Sequence, residues 1–414
     1  MSGGRGVDPD VRRLGEWDAD RLHQLAEAYD TPLYVYDIDR VRENARRIRA
    51  AFPDAELSYA TKANTSKPVL RALRDEDVGA ECASAGEVQR SLDAGFTGSA
   101  VRYTAVNPPS EDLDHVCALA EDHPLTITVG AADTLDRLEE RGFFGKLAIR
   151  VNPGVGAGHH AKVTTGTDPK FGVPYDEVPA LLADAADRGF DVVGIHAHAG
   201  SGISGDDLSA HRELVSRMGA LARESPVSLE FVNVGGGFGV PYREDEPPLD
   251  IATAAEATRE ALGEVEAQLA IEPGRYFVAD AGVLLTCVNT TKPTPDTLVV
   301  GVDAGMTTLV RPAMYGSYHA IRNLAPDAGE RETVETLVAG PICETSDIFA
   351  TDRVLPAPAR GDLLAIGNAG AYGYEMASQY NSRPRPAVVC VDEGETYLAV
   401  RRETLADVTS LEEP

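Results

Sequence analysis

Two periods of hydrophobic and polar residues alternate along most of the chain, and their order predicts the fold. Short apolar runs rich in β-branched residues, bounded by polar or glycine-containing turns, predict strands at 56–59, 78–82, 101–104, 125–129, 147–151, 192–198, 229–234 and 269–272. Between them, apolar positions recurring every three or four residues predict helices such as 85–94, 133–141, 175–188, 206–224 and 251–268. Eight strands separated by crossover helices over about 240 residues predict a closed (β/α)8 barrel of the TIM type rather than an open doubly wound sheet.

An amphipathic helix at 19–29 and a strand at 33–36 precede this pattern. After residue 282 the helical period fades, and 283–289, 297–303, 333–339, 362–366, 386–391 and 396–401 read as strands joined by turns, which predicts a second, mostly antiparallel β domain. The early strand is expected to join it. The predicted division is therefore a barrel at 37–281, with 1–36 and 282–414 forming the β domain. One stretch, 152–171, is long, rich in Gly and His, and leaves the fifth strand at its carboxyl end, so it is expected to cover the face where barrels carry their active sites.

Charge narrows the partners. Sixty-six acidic residues against 38 basic ones leave −28, which repels nucleic acid and anionic membranes, so neither is expected as a partner. Only six of the basic residues are lysines, and an acidic surplus with so little lysine is the pattern of a halophilic chain. No apolar run reaches 18 residues and the N-terminus has no apolar stretch, so a soluble, cytoplasmic protein is expected. Cys82, Cys117, Cys287, Cys343 and Cys390 are scattered, which argues against a disulfide framework or a zinc knuckle and fits a reducing compartment.

Scarcity makes Lys62 conspicuous. It stands in Ser58-Tyr-Ala-Thr-Lys62-Ala-Asn64, at the carboxyl end of the first barrel strand. An amine held there, partly desolvated by its Tyr and Ala neighbours, can lose its proton and form a Schiff base with an aldehyde; a solvated loop lysine is the alternative. Other unusual residues fall on the same face: Glu81 ends strand two, His196 and His198 end strand six, Gly235-Gly236-Gly237 follows strand seven, and Glu272-Pro-Gly-Arg275 closes strand eight. Such clustering at strand ends marks a site.

Each group also suggests a ligand. The three glycines offer backbone N–H groups for a phosphate, with Ser201 adding a hydroxyl, although a glycine run also makes a tight turn. Gly200-x-Gly202-x-x-Gly205 matches a dinucleotide fingerprint but lacks the open βαβ sheet and the acidic residue that such a site needs. His196-Ala-His198 can grip a metal, hydrogen-bond within the core, or stack an imidazole on a flat ligand. No metal is expected, because the other strand ends hold Lys, Gly and Arg. Pro273 and Gly274 break any helix between Glu272 and Arg275, so the carboxylate can meet a pyridinium N–H and the guanidinium a phosphate or carboxylate. Together these features describe a site for pyridoxal 5'-phosphate.

The same motifs, Tyr59-Ala-x-Lys62-Ala-Asn64, Gly194-Ile-His-Ala-His-Ala-Gly-Ser201, Gly235-Gly-Gly237 and Glu272-Pro-Gly-Arg275, resemble those of the alanine-racemase-like, fold III pyridoxal-phosphate decarboxylases. In the C-terminal half, Arg311-Pro-Ala-Met-Tyr315, Gly340-Pro-Ile-Cys343-Glu344, Gly370-Ala-Tyr372-Gly and Tyr380-Asn-Ser-Arg-Pro-Arg385 resemble the diaminopimelate decarboxylases. The resemblance implies that Lys62 binds the cofactor aldehyde, His198 stacks on the ring and Glu272 meets its nitrogen. It assigns the phosphate to Ser201, Gly237, Gly274, Arg275 and Tyr372, and substrate to Arg275, Arg311, Tyr315, Glu344 and Tyr372, with Cys343 as proton donor. It also implies a homodimer with shared active sites and decarboxylation of meso-diaminopimelate to L-lysine. The family's usual Cys-Glu-Ser-Gly-Asp reads Cys343-Glu344-Thr345-Ser346-Asp347 here, without the glycine.

Overall fold

The structure is a computed structural model that describes residues 11–155, 167–198, 200, 203 and 207–413. The chain divides into two compact units. One comprises Ile38–Gly239 and Leu249–Val278; the other comprises the N-terminal segment through Asp37, Val240–Pro248 and the chain from Ala279 onward. To the latter the N-terminal segment gives α1 (Ala19–Tyr29) and β1 (Leu33–Asp37). Asp18 caps α1 by accepting from the amides of Asp20 and Arg21, which satisfies two donors that the helix itself leaves open.

The first unit runs α2 (Ile38–Ala51), β2 (Glu56–Ala60), α3 (Lys67–Asp75), β3 (Gly79–Cys82), α4 (Ala85–Asp93), β4 (Val101–Tyr103), α5 (Ser110–Asp122), β5 (Thr126–Val129), α6 (Asp133–Glu139), β6 (Lys146–Asn152), β7 (Val173–Pro174), α7 (Val178–Asp187), β8 (Asp191–His196), α8 (Ser209–Arg223), β9 (Phe231–Asn233), α9 (Ile251–Leu262), β10 (Gln268–Ile271) and α10 (Arg275–Val278). All its pairings are parallel, in the order β5-β4-β3-β2-β10-β9-β8-β6, and β5 pairs with β6 to close the ring. The short β7 attaches to β6 outside the ring. The expected barrel is therefore present. Its strands are buried on both faces, as a parallel sheet wrapped in helices requires; all of β5 is buried.

Several boundaries differ from expectation by a few residues, and at α9 the physical reason is visible. Helix α9 stops at Leu262 because Gly263 takes a φ of 68°, a left-handed conformation that ends a helix cheaply only at glycine. Helix α8 starts at Ser209, and residues 204–206 lie outside the described residues. The same is true of 156–166 in the segment expected to cover the barrel face. Within the barrel, the Arg102 guanidinium from β4 lies 3.9 Å from the ring centroid of Phe231 on β9 and bonds Glu56 at the start of β2, filling the end opposite the carboxyl-end residues.

The second unit continues with β11 (Gly282–Pro293), β12 (Leu298–Val302), α11 (Arg311–Tyr315), β13 (Ile321–Asn323), β14 (Thr333–Ala339), β15 (Ile348–Pro356), β16 (Leu363–Ile366), β17 (Ala387–Asp392), β18 (Glu395–Val400) and α12 (Leu405–Val408). The sheet order is β15-β14-β12-β11-β1-β17-β18, with β16 joining β11 to β13. As expected, β1 belongs here, antiparallel to β11 and parallel to β17. Besides β1–β17, only β12–β14 is parallel among the described ladders of this second unit. Alternate residues Leu33 and Val35, Val283 and Leu285, Leu363 and Ala365, and Ala387 and Val389 share one core with Leu22 and Leu25 of α1. Burying each of those leucines contributes about 2 kcal/mol. No helix among the described residues is long and apolar enough to cross a membrane.

Candidate active site

Lys62 lies in a single helical turn, Thr61–Ala63, immediately after β2. The turn is fixed from two sides: the Thr61 hydroxyl is 3.0 Å from Glu81 O and 2.8 Å from Glu87 Oε2, and the Tyr59 hydroxyl donates to Asn64 O at 3.0 Å. The Lys62 Nζ is 2.6 Å from Glu81 Oε2. Burial pushes the Glu81 carboxyl up, Lys62 pulls it down, and the result is about 7.

Across the barrel, β8 and β9 end in His196 and Asn233, and both side chains converge on Glu272. The carboxylate accepts from His196 Nε2 at 2.8 Å and from Asn233 Nδ2 at 2.9 Å. Burial would raise the Glu272 pKa, but His196, Lys62 and His198 outweigh it and hold the group ionised. An ionised carboxylate only accepts, so Nε2 of His196 carries hydrogen, and its buried Nδ1 has no partner among the described residues. His196 is thus a hydrogen-bonded core histidine. Arg150 stands beside it in register on β6, buried, its pKa lowered by desolvation against the pull of Glu272 and Glu81.

His198 accepts from Gly236 N at 3.3 Å through Nδ1. The ring keeps part of its surface open, yet desolvation drops its pKa to about 3, so it is a neutral imidazole at any ordinary pH. The glycine run could not carry side chains. A Cβ at Gly235 would lie 2.6 Å from Ala197 O, at Gly236 2.4 Å from Glu272 O, and at Gly237 2.6 Å from Gly200 O; Gly235 and Gly237 also have positive φ. The expectation of consecutive free N–H groups needs correction, however. Gly235 N donates to Asn233 Oδ1 at 2.8 Å and Gly236 N donates to His198, which leaves Gly237 as the one of the three without an amide partner among the described residues. Gly274 leads into Arg275, buried at the start of α10. Ser201 lies outside the described residues.

These residues fit pyridoxal phosphate: a lysine at a strand end, a close-packed glycine turn, a neutral imidazole, and an oriented, ionised carboxylate whose oxygens each retain a lone pair for a ring N–H. Among the described residues, no group of three or more His, Cys, Asp or Glu is placed to hold a metal ion.

The β unit assembles two further groups. Arg311, 4% exposed at the start of α11, donates to Ser317 Oγ at 3.2 Å and lies 5.6 Å from the Tyr242 ring and 6.0 Å from those of Tyr315 and Tyr372. Cys343 and Glu344 are exposed on the loop after β14; Cys343 Sγ is 3.6 Å from Asn381 Oδ1, and the Tyr380 hydroxyl donates to Glu344 Oε1 at 2.5 Å. Asp347 shapes this loop by accepting from Met306 N at 2.5 Å and Ile342 N at 2.6 Å. Ser346, at the position of the family's glycine, is not among the residues with positive φ, so the loop does not need glycine there.

Arg150, Asn233 and Tyr242 escaped the sequence reading. A charged residue inside the otherwise apolar 147–151 was the available sign for the first, and the inward position two residues after Phe231 for the second. Nothing in the sequence singles out Tyr242.

Fold and site define a pyridoxal-dependent decarboxylase, and the family described as "Pyridoxal-dependent decarboxylase, pyridoxal binding domain" matches residues 38–279. The diaminopimelate decarboxylase of Methanothermobacter thermautotrophicus is 44% identical over 401 residues, covering 93% of this chain and 92% of that protein. The Escherichia coli K12 diaminopimelate decarboxylase is 36% identical over 95% of this chain and 96% of its own. Among solved structures, the Helicobacter pylori diaminopimelate decarboxylase complexed with L-lysine superposes with a TM-score of 0.86 at 33% identity, covering 94% of this chain and 98% of that one. The chain belongs to the diaminopimelate decarboxylase family.

Proposed function

We propose that this chain removes CO2 from the D-centre of meso-2,6-diaminopimelate and releases L-lysine, using pyridoxal phosphate held at the carboxyl ends of the barrel strands. The observation that carries the reading is the buried, ionised Glu272, oriented by His196 and Asn233. Such a carboxylate keeps a proton on a pyridine nitrogen, the state in which the ring best withdraws electrons. Bound there, the cofactor would supply an aldehyde for the substrate amine and a ring that accepts the electron pair left by departing CO2.

The remaining work falls to this chain's side chains. Lys62 would anchor the cofactor, the neutral imidazole of His198 would stack on its ring, and Ser201, Gly237, Gly274, Arg275 and Tyr372 would hold its phosphate. Cys343 gives its thiol proton to the carbon that CO2 has left, and solvent restores the thiol. Arg311 can take the second amino-carboxylate of the substrate with two parallel hydrogen bonds, with Tyr315 and Glu344 beside it in role; ornithine or lysine would leave that buried guanidinium without its carboxylate. The working unit in this reading is a homodimer in which each site is completed by Cys343 and Glu344 of the partner subunit. Five free cysteines favour a reducing, cytoplasmic setting.

The test is CO2 release from meso-diaminopimelate, its L,L isomer, ornithine, lysine and arginine under identical conditions. Turnover is expected with the meso compound alone. Preferred turnover of ornithine or arginine would replace the proposed substrate.

A further inference from the structure

Glu81 has no part in the proposed reaction, yet its carboxylate lies 2.6 Å from Lys62 Nζ. Register places it beside Ala60, the last residue of β2, and its side chain is 3% exposed while that of Lys62 is 42% exposed. Holding an acid in the barrel interior against a half-exposed amine is a poor way to stabilise a fold, because desolvation of the carboxylate offsets most of the attraction. The arrangement suits proton exchange better, since donor and acceptor are 2.6 Å apart.

We propose that Glu81 is the proton carrier for Lys62, taking a proton from the ammonium so that the amine can attack the cofactor aldehyde, and returning it as water leaves. This rests on the reading of Lys62 as the cofactor-binding lysine. Bond by bond, the ammonium gives one proton to Glu81, and the freed lone pair forms the bond from nitrogen to the aldehyde carbon. The carbonyl oxygen collects one proton from that nitrogen and one from Glu81 and departs as water. A protonated carbon–nitrogen double bond remains, and Glu81 ends ionised, as it began. The charges facing Glu81 place it where such exchange works. Lys62 faces it from the turn, Glu87 from α4, and Glu272 and Arg150 from the other strands of the barrel. Arg102, in register on β4, is turned toward Glu56 and Phe231. The outcome is a carboxyl pushed up to about 7, able to take and give a proton at neutral pH.

The experiment strips the full-length protein of cofactor with hydroxylamine, adds back pyridoxal phosphate, and follows the rate of growth of the visible absorbance against pH. Wild type should reach its plateau rate near neutrality. In Glu81→Gln, uptake at neutral pH should slow on the order of a hundredfold and keep rising toward alkaline pH, with the same final spectrum. Formate should partly restore the rate in Glu81→Gly and leave wild type unchanged. If Glu81 only steadies the ammonium charge, removing it makes Lys62 easier to deprotonate, and uptake by Glu81→Gln would match or exceed wild type; that outcome overturns the proposal. Should the variants fail to fold, the wild-type profile decides, because a rate still climbing toward the ordinary lysine range, about 10.4, rules out a carrier titrating near neutrality. Wild type that gains no visible absorbance at all refutes the cofactor reading itself, separately from the role of Glu81.

Discussion

His196 Nε2 lies 2.8 Å from Glu272 Oε1, with both side chains nearly sealed from water, so the direction of the carboxylate is set from within the barrel. Replacing the imidazole by a ring that cannot donate, His196→Phe, removes one of the two described hydrogen bonds to a buried charge. The expected cost is roughly 1.5 to 3 kcal/mol of stability, together with weaker cofactor retention because Glu272 is then less firmly aimed. Thermal unfolding and the cofactor absorbance left after dialysis measure the two effects. A variant equal to wild type in both would mean that Asn233 is sufficient to orient the carboxylate.

Lys62 supplies the covalent hold in this reading, so Lys62→Ala should show no borohydride-sensitive visible absorbance while keeping its fold. The side chain is half exposed and its loss opens no core cavity. The variant should also leave the Glu81 carboxyl higher, because the cation that pulls it down is gone. A visible band unchanged from wild type would remove Lys62 from its assigned role.

Much of the barrel was legible because its two periods are written in burial. Apolar runs became strands buried on both sides, and three-to-four spacing became helices that cover them. Strands β13 and β15 were not legible. The first has only three residues, and the second interrupts its apolar residues with Thr351, Asp352 and Arg353, with Asp352 at a φ of 53° and shifted register nearby. In the site, Lys62, His198, the glycines and Glu272 stood out because polar residues at strand ends are conspicuous. Arg150 and Asn233 did not, since a polar residue within a strand reads as surface until the ring closes around it. The directions of the Gly235 and Gly236 amides were equally beyond sequence, because they depend on where Asn233 and His198 turn.

A buried histidine away from the site should make stability depend on pH. His211, 4% exposed, has its Nε2 2.7 Å from Thr258 Oγ1, and burial, helped by Arg212, lowers its pKa to about 4. An unfolded histidine titrates near 6.5, so between these values the unfolded chain binds a proton that the folded chain refuses. The contribution of His211 is therefore complete above about pH 6.5 and is lost as pH falls toward 4, at up to about 1.4 kcal/mol per pH unit. Stability of His211→Gln should fall less steeply over this window. Equal slopes for the two proteins in denaturant titrations would show that the ring is protonated without penalty.

A charge of −28 should make the folded state sensitive to salt. Raising ionic strength from 0.01 M to 1 M shortens the screening length from about 30 Å to about 3 Å, which suppresses repulsion among surface carboxylates. The unfolding midpoint is expected to climb steeply with KCl across that range. A flat response would mean that the acidic surface does not limit stability.

The dimer proposal makes a prediction that no single-chain measurement can imitate. Lys62 belongs to the barrel unit and Cys343 to the β unit, and in the proposed reaction both act on one substrate. If each site draws them from different chains, a chain lacking Lys62 and a chain lacking Cys343 can together build one complete site per hybrid dimer, because the two-fold arrangement pairs the intact residue of each with that of the other. Lys62→Ala and Cys343→Ala should each be inactive alone and regain activity when mixed and allowed to exchange subunits. Random exchange makes about half of the dimers hybrids with one good site each, so recovery should approach roughly a quarter of wild-type activity. If sites were built within one chain, every site in the mixture would still lack one of the two residues. Exchange demonstrated by mixed-label mass measurement without recovery of activity would therefore assign each site to a single chain.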